Sequence, residues 1–192
     1  MSLILASSSA IRRQMLAAAG VEHEAVPADL DESALKTGDE PEAIARSLAE
    51  AKALAVSGGR AGDWVIGSDS VVTVGGRLFD KPSDRNQAAE HLRLFSGQAM
   101  RLTSAVALAR EGAVDWSFVD TAVLQVRILS EAFIAQYLDA EWPEVGYCVG
   151  VFRLEGRGVQ LFETVTGSHF TILGMPLLPL LSALRVRGIL PS

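Results

Sequence analysis

Residues 64–76 decide the fold of this chain, and they read Trp64-Val65-Ile66-Gly67-Ser68-Asp69-Ser70-Val71-Val72-Thr73-Val74-Gly75-Gly76. The long apolar run predicts a buried strand over 64–74, and the two glycines that follow are typical of a β-hairpin turn. One carboxylate, Asp69, lies inside the run, and burying its charge without a partner would cost several kcal/mol. Gly67 leaves room for a ligand to approach the strand. We therefore interpret Asp69 as a functional acid; the alternative is an acid at a bulge or at an exposed sheet edge.

The hairpin also predicts a cation near Asp69. A two-residue turn at the glycines places Val74 opposite Arg77. The same register brings Ser70 opposite Lys81, whereas a one-residue bulge would bring Asp69 there. In either register we expect Lys81 to be a close neighbour of Asp69.

Strand-like and helix-like segments alternate on both sides of this hairpin. Apolar or alternating runs predict further strands over 3–6, 102–109, 121–128 and 159–165. Capping residues and helical periodicity predict helices over 10–19, 41–56, 84–95, 130–138 and 176–187. Residues 22–38 form an irregular acidic connection. Hairpins mixed with interleaved helices indicate a mixed α/β sheet.

Composition limits the classes of protein to which the chain can belong. It has 192 residues, 49% of them hydrophobic and 21% charged, which excludes disorder as the main state. Its net charge of −6 argues against wrapping nucleic acid, and no apolar run reaches the ~20 residues that span a membrane. Cys148 is the only cysteine, which excludes a disulfide scaffold and fits the cytoplasm. We expect no signal peptide, because the arginines near the N-terminus follow the apolar stretch.

A second group of candidate residues lies where the first strand ends, in Ser7-Ser8-Ser9-Ala10-Ile11-Arg12-Arg13. Backbone N–H groups and the helix dipole favour an anion at the start of the helix. Ser8, Arg12 and Arg13 add donors suited to phosphate oxygens. The alternative is a capping serine followed by solvated arginines. No glycine-rich loop is present, so P-loop and dinucleotide-binding motifs are excluded.

Lys52 and Glu32 complete the candidates. Lys52 continues the apolar helix row of Ile44 and Leu48, so it either reaches the rim or points at an anionic ligand. Glu32 belongs either to a solvated acidic loop or, together with Asp69, to a site for a hard metal ion. Several cations and two or three carboxylates at strand ends and helix starts suit a polyphosphate with a bridging metal.

These motifs, in this order, resemble the Maf family of nucleotide pyrophosphatases over nearly the whole chain. The similar segments are 3–13, Asp31-Glu32, 48–53, 66–72 and Asp80-Lys81-Pro82. The chain has Ala10 where the family usually has proline, and Asp80 where it usually has glycine. The resemblance implies one domain over 1–192, with a mixed twisted sheet flanked by helices. It also implies two lobes around a central cleft, as in inosine triphosphate pyrophosphatases.

The C-terminal half resembles the branch that favours 7-methyl-GTP, through Cys148-Val149-Gly150-Val151-Phe152-Arg153-Leu154-Glu155-Gly156-Arg157-Gly158. The dTTP/UTP branch usually has Gly-Ala-Tyr followed by Ile-Gln-Gly in this region. Ile11 and Ser70 stand where the 7-methyl-GTP branch often has tryptophan and glutamine. The resemblance implies that Ile11, Ser70 and Glu155 border the base pocket.

The reaction implied by the resemblance is hydrolysis of a nucleoside triphosphate to the monophosphate and pyrophosphate, which clears modified nucleotides before they enter nucleic acid. Asp69 would be the general base, and Glu32 would help hold the metal or the water. A divalent cation, Mg²⁺ or Mn²⁺, would bind Asp69 and Glu32. The cations that would stabilise the phosphates are Arg12, Arg13, Lys52 and Lys81.

Other functions stay open at this point. The chain could be a nucleotide-binding regulator of septum formation without essential turnover, a nucleotidyltransferase, or a pyrophosphatase of the dTTP/UTP type. We expect a nucleotide as the ligand and no nucleic acid or membrane as a partner, and we leave a homodimer open.

Overall fold

The computed structural model describes residues 2–32, 35–36 and 40–191. The strands are β1 (Leu3–Leu5), β2 (Glu24–Ala25), β3 (Trp64–Val74), β4 (Arg77–Phe79), β5 (Ala99–Arg110), β6 (Ala113–Val126) and β7 (Phe162–Thr166). The α-helices are α1 (Ala10–Ala18), α2 (Pro41–Ser57), α3 (Arg85–Phe95), α4 (Glu131–Glu141), α5 (His169–Ile172) and α6 (Leu177–Val186). Two 3₁₀ turns cover Glu144–Tyr147 and Arg157–Leu161.

The strands form one seven-stranded sheet in the order β2-β1-β3-β5-β6-β7, with β4 paired to β3. β1 pairs in parallel with both β2 and β3. β4 pairs antiparallel with β3, and β7 pairs antiparallel with β6. The prediction of a mixed α/β sheet is therefore confirmed.

The β3–β4 hairpin has the two-residue turn that its glycines predict. Val74 pairs with Arg77, and Gly75 and Gly76 have φ angles of 58° and 77°, which side chains other than glycine rarely tolerate. Regular pairing ends two residues further along each strand, at Val72 and Phe79. Lys81 therefore lies beyond the ladder, and the expected proximity of Lys81 to Asp69 stays a prediction.

Local capping explains where the helices begin. Pro41 opens α2, as predicted. The Asp84 carboxylate caps α3 by accepting a hydrogen bond from the backbone N–H of Gln87 (2.9 Å). The Ser130 hydroxyl caps α4 by accepting one from Phe133 (3.2 Å). These starts follow from interactions within four residues, which is why the sequence predicts them.

Three predicted segments were wrong in their details. The strand expected over 121–128 covers Ala113–Val126, and its first half is exposed or half-buried, so no apolar run marks it in the sequence. The strand expected from residue 159 begins at Phe162, because residues Arg157–Leu161 form a 3₁₀ turn instead. Gly158 explains this turn, since a Cβ there would lie 2.4 Å from the Arg153 carbonyl oxygen and only a folded-back chain comes so close. In addition, Glu24–Ala25 within the supposedly irregular connection forms the short strand β2.

The chain forms two compact units. Unit A comprises Met1–Ser70, Thr103–Asp120 and Ser168–Ser192, and unit B comprises Val71–Leu102 and Thr121–Gly167. The core of unit A contains Leu5, Leu16, Ile66, Leu108, Leu180 and Leu184. Unit B buries Phe95, Leu92, Met100, Leu124 and Leu138. The expectation of a single domain over 1–192 stays a prediction.

Within the described part of the chain, no helix has both the length and the apolar content that crossing a membrane requires.

Candidate active site

Gly67 determines how α2 packs on β3. A Cβ at this position would lie 2.0 Å from the Ala49 carbonyl oxygen and 2.6 Å from the Ala53 nitrogen, so only glycine allows this contact. The space that we expected a ligand to use is therefore filled by the helix. Lys52 lies on α2 beside this contact, and Asp69 follows Gly67 by two residues on β3. The close packing therefore brings Lys52 and Asp69 together.

Asp69 is buried in unit A and paired with Lys52. Its side chain is 11% exposed and that of Lys52 is 12% exposed. Lys52 Nζ lies 2.5 Å from Asp69 Oδ1 and 2.8 Å from Glu32 Oε1. Lys52 thus bridges two carboxylates, and the acid in the apolar strand has the cationic partner that burial requires. The sequence singled out Lys52 as a residue that reaches the rim or an anionic ligand, but not as the partner of Asp69; the glycine two positions before Asp69 is the signal that could have placed it there. The expected proximity of Lys81 stays a prediction.

Arg12 reaches the same strand from the start of α1. Its guanidinium donates to the Ser68 carbonyl (2.9 Å), the Gly174 carbonyl (2.9 Å) and the Ser70 hydroxyl (3.2 Å). Burial lowers the pKa of Arg12, while the negative charges of Asp69 and Glu32 raise it. Arg12 is therefore fixed by protein oxygens and lies within electrostatic reach of both carboxylates.

Ser70 belongs to a chain of hydroxyl groups in unit A. Its oxygen lies 2.7 Å from the Ser104 hydroxyl, which in turn donates to the Thr171 carbonyl (2.8 Å). The Gly174 carbonyl oxygen lies 3.2 Å from the Ser70 hydroxyl and accepts a hydrogen bond from Arg12. Sequence reasoning singled out Ser70 but missed Ser104 and Thr171, because ordinary serines and threonines carry no distinguishing pattern.

Ser8, Ile11 and Arg13 are at the start of α1, where the N-cap residue makes no side-chain hydrogen bond. Ser8 and Arg13 are exposed, whereas Ile11 is half-buried. Ile11 lines an apolar groove with Met15, Phe170, Leu177 and Leu181. Uncapped backbone N–H groups next to an exposed hydroxyl and guanidinium suit an anionic group.

Unit B contains Lys81 and Glu155, both exposed. Burial raises the pKa of the Cys148 thiol to about 11; Glu155 adds to the rise, and Arg153 and Lys81 oppose it. Because one thiol feels all three charges, Lys81, Arg153 and Glu155 belong to one region of unit B. The raised pKa also makes Cys148 a poor nucleophile at neutral pH.

Asp69 and Glu32 are the oxygen donors that could hold a metal ion. Among residues 2–32, 35–36 and 40–191, no group of three or more histidines, cysteines, aspartates or glutamates has the geometry of a metal site. Two carboxylates converging on the position of Lys52 Nζ nevertheless fit Mg²⁺, which keeps several waters and takes phosphate oxygens as further ligands.

The chain is similar to known proteins over nearly its whole length. Residues 2–187 match the sequence profile of the family described as Maf-like protein.

The chain belongs to the Maf family.

The resemblance inferred from the motifs is thus confirmed, and relatives of the same family match along nearly their whole length. A 7-methyl-GTP pyrophosphatase from Rhizobium etli is 48% identical over 97% of this chain and 96% of its own. A nucleoside triphosphate pyrophosphatase from Sphingopyxis alaskensis is 44% identical over 100% of both chains. The crystal structure of a dITP/XTP pyrophosphatase from Mycobacterium abscessus is similar to this Maf protein with a TM-score of 0.41 and 18% identity, over 66% of this chain and 73% of that one.

Proposed function

We propose that this Maf protein is a nucleoside triphosphate pyrophosphatase that hydrolyses its substrate to a nucleoside monophosphate and pyrophosphate. The observation that carries the proposal is the buried carboxylate of Asp69, bridged by Lys52 to Glu32 in the middle of a core strand. Pyrophosphatase activity is named for relatives that are 44–48% identical to the chain.

The proposed reaction begins with a water molecule that attacks the α-phosphorus. The bond from the water oxygen to phosphorus forms while the bond to the bridging oxygen of pyrophosphate breaks. Asp69 takes the proton of the water as general base. Lys52 contacts Oδ1 of Asp69, so we assign the proton to Oδ2.

Cations would stabilise the negative charge that develops on the phosphate oxygens. We assign this role to Lys52, Arg12, Arg13 and Lys81. Ser8 would donate to the phosphates beside the uncapped start of α1. Arg12 already donates to three protein oxygens, so its remaining N–H groups would serve the substrate.

A divalent cation, Mg²⁺ or Mn²⁺, would be held by Asp69 and Glu32. When bound, it would neutralise phosphate charge and position phosphate oxygens. Lys52 Nζ contacts both carboxylates, so its ammonium group balances part of their charge before a metal cation binds.

For the base, we propose a guanine-type nucleotide such as 7-methyl-GTP, with Ile11, Ser70 and Glu155 as the residues that determine specificity. A carboxylate can accept hydrogen bonds from both the ring N–H and the amino group of guanine, which uracil and thymine cannot supply together. A positive charge on a methylated base would strengthen the attraction to Glu155. Removal of such modified nucleotides before polymerisation is the role that this substrate suggests.

The test is an assay of the purified chain with GTP, 7-methyl-GTP, UTP and dTTP, each with Mg²⁺, Mn²⁺ or EDTA. We expect pyrophosphate and the monophosphate as products with either metal and no turnover with EDTA. Release of orthophosphate instead of pyrophosphate would contradict the proposed bond cleavage. Tight nucleotide binding without turnover would favour a regulatory protein.

A further inference from the structure

The turn that carries Glu155 is built around a second buried carboxylate. Glu141, the last residue of α4, is 7% exposed, and its Oε2 accepts a hydrogen bond from Arg153 Nη2 (3.0 Å). Together with Asp69, it is one of two buried acids among residues 2–32, 35–36 and 40–191. Nothing in the proposed reaction uses it.

The backbone of this turn is pressed against the ion pair. A Cβ on Gly156 would lie 3.3 Å from Glu141 Oε2, so the chain passes directly over the carboxylate. The turn is closed by a backbone hydrogen bond from Gly156 N–H to the Arg153 carbonyl (3.2 Å). Glu155 lies inside the turn and is exposed, one residue before Gly156. The position of Glu155 therefore depends on the backbone of the turn, and Arg153, two residues earlier in the chain, supplies a positive charge near it.

Arg153 has more than one acid within electrostatic reach. The hydrogen bond to Glu141 raises its pKa most, and the negative charges of Glu155 and Glu144 raise it further. Glu141 binds the guanidinium because its carboxylate is buried, where attraction is strong, whereas the charge of exposed Glu155 is screened by water. Without Glu141, Glu155 would be the nearest remaining partner along the chain.

We propose that Glu141 is a specificity-positioning residue: by holding Arg153 in an ion pair, it keeps the Glu155 carboxylate from being neutralised and leaves it to accept hydrogen bonds from the substrate base. This rests on the proposed role of Glu155. It adds a role for α4, whose last residue determines which of two carboxylates Arg153 neutralises. Replacing Glu141 would free Arg153 to neutralise Glu155, and the preference for the base would fall. The turn itself would stay closed by its backbone hydrogen bond.

The first experiment measures kcat/KM for 7-methyl-GTP and UTP in four proteins: wild type, Glu141→Gln, Glu155→Gln and the double variant with both changes. We expect each single change to lower the 7-methyl-GTP to UTP ratio by about fivefold or more, the change that corresponds to about 1 kcal/mol. The double variant should fall no further than Glu155→Gln alone, because both changes remove the same carboxylate from use. Independent, multiplying losses would overturn the proposal.

The second experiment distinguishes neutralisation of Glu155 from simple damage to the turn. Adding Arg153→Met to Glu141→Gln removes the competing cation, and we expect the ratio to return to within about twofold of wild type. Replacing a buried ion pair with neutral groups of similar volume is often harmless, whereas removing one partner is not. A ratio that stays low in this double variant, with a wild-type unfolding midpoint, would show that the pair only supports the turn.

A third measurement does not depend on turnover. The Nε–H NMR signal of Arg153 should shift on Glu155→Gln in the Glu141→Gln background and stay in place on the same change in the wild-type background. The opposite pattern would contradict the proposal even if the chain hydrolyses no nucleotide. If Glu141→Gln fails to fold, Glu141→Asp replaces it, since the shorter carboxylate also weakens the contact to Arg153. Absence of pyrophosphate release by the wild type would overturn the proposed function alone.

Discussion

At Asp69, a carboxylate in the core of unit A is made compatible with an apolar strand by one ammonium group 2.5 Å away. The same ammonium contacts Glu32, so the three groups together carry one negative charge when all are ionised. A cluster of this kind is arranged for a ligand that brings positive charge, or for a proton.

The Asp69→Asn variant tests the base directly. The amide is nearly the same size and leaves Lys52 paired with Glu32, so we expect the unfolding midpoint to stay close to wild type. Turnover should fall by about 10²–10⁴-fold, because an amide cannot accept the proton of the water. The measurement is kcat beside thermal unfolding. More than about a tenth of wild-type kcat would remove Asp69 from the role of base.

The two lysines should behave differently on replacement by alanine. Lys52→Ala leaves Asp69 buried and unpaired, and we expect a loss of about 3 kcal/mol or more at neutral pH in addition to lost activity. Lys81 is exposed, so Lys81→Ala should change stability by less than about 0.5 kcal/mol while weakening triphosphate binding.

Denaturant unfolding measures the change in stability of each variant. KM and kcat measure the change in substrate binding and in activity. A large stability loss in Lys81→Ala would make that lysine structural. A Lys52→Ala variant as stable as wild type would mean that its contact with Asp69 contributes nothing.

At the scale of elements, the packing of α2 on β3 determines whether the site exists. The helix lies against the strand at Gly67, where a side chain would collide with the backbone of Ala49 and Ala53. Rigid backbone atoms cannot yield as the end of a flexible side chain can, so any larger residue must push the whole helix outward.

Gly67→Ala should therefore lower stability and turnover together. We expect a loss of about 3 kcal/mol from overpacking, and reduced kcat because Lys52 moves away from Asp69. Gly59→Ala is the matched control, since a Cβ at Gly59 meets no atom within 4 Å and should change neither property appreciably. Equal effects of the two substitutions on turnover would disprove the link between this packing and the site.

At the scale of the whole molecule, base preference tests the assignment of the substrate class. We expect kcat/KM for 7-methyl-GTP and GTP to exceed that for UTP and dTTP, because Glu155 can accept hydrogen bonds from the ring N–H and the amino group of guanine, which uracil and thymine cannot supply together. Glu155→Gln should reduce this preference. Faster turnover of UTP or dTTP, unchanged by the substitution, would leave only the general pyrophosphatase assignment.

Elements with local causes can be predicted from the order of the residues alone. The β3–β4 hairpin follows from an apolar run and two glycines, and the starts of α3 and α4 follow from Asp84 and Ser130. Each of these features depends on interactions between residues a few positions apart, so the sequence pattern predicts it. The ordered motifs were also sufficient for the Maf family, and Asp69 was conspicuous as the one charge in its strand.

The contacts between distant groups could not be predicted in this way and are seen only in the folded chain. Lys52 contacts Asp69 in unit A because Gly67 lets a helix from elsewhere in the chain pack closely on the strand. Arg12 donates to the carbonyl of Gly174, 162 residues away. Such contacts depend on how segments far apart in the chain pack against one another. No periodicity or spacing in the sequence predicts which residues of those segments meet.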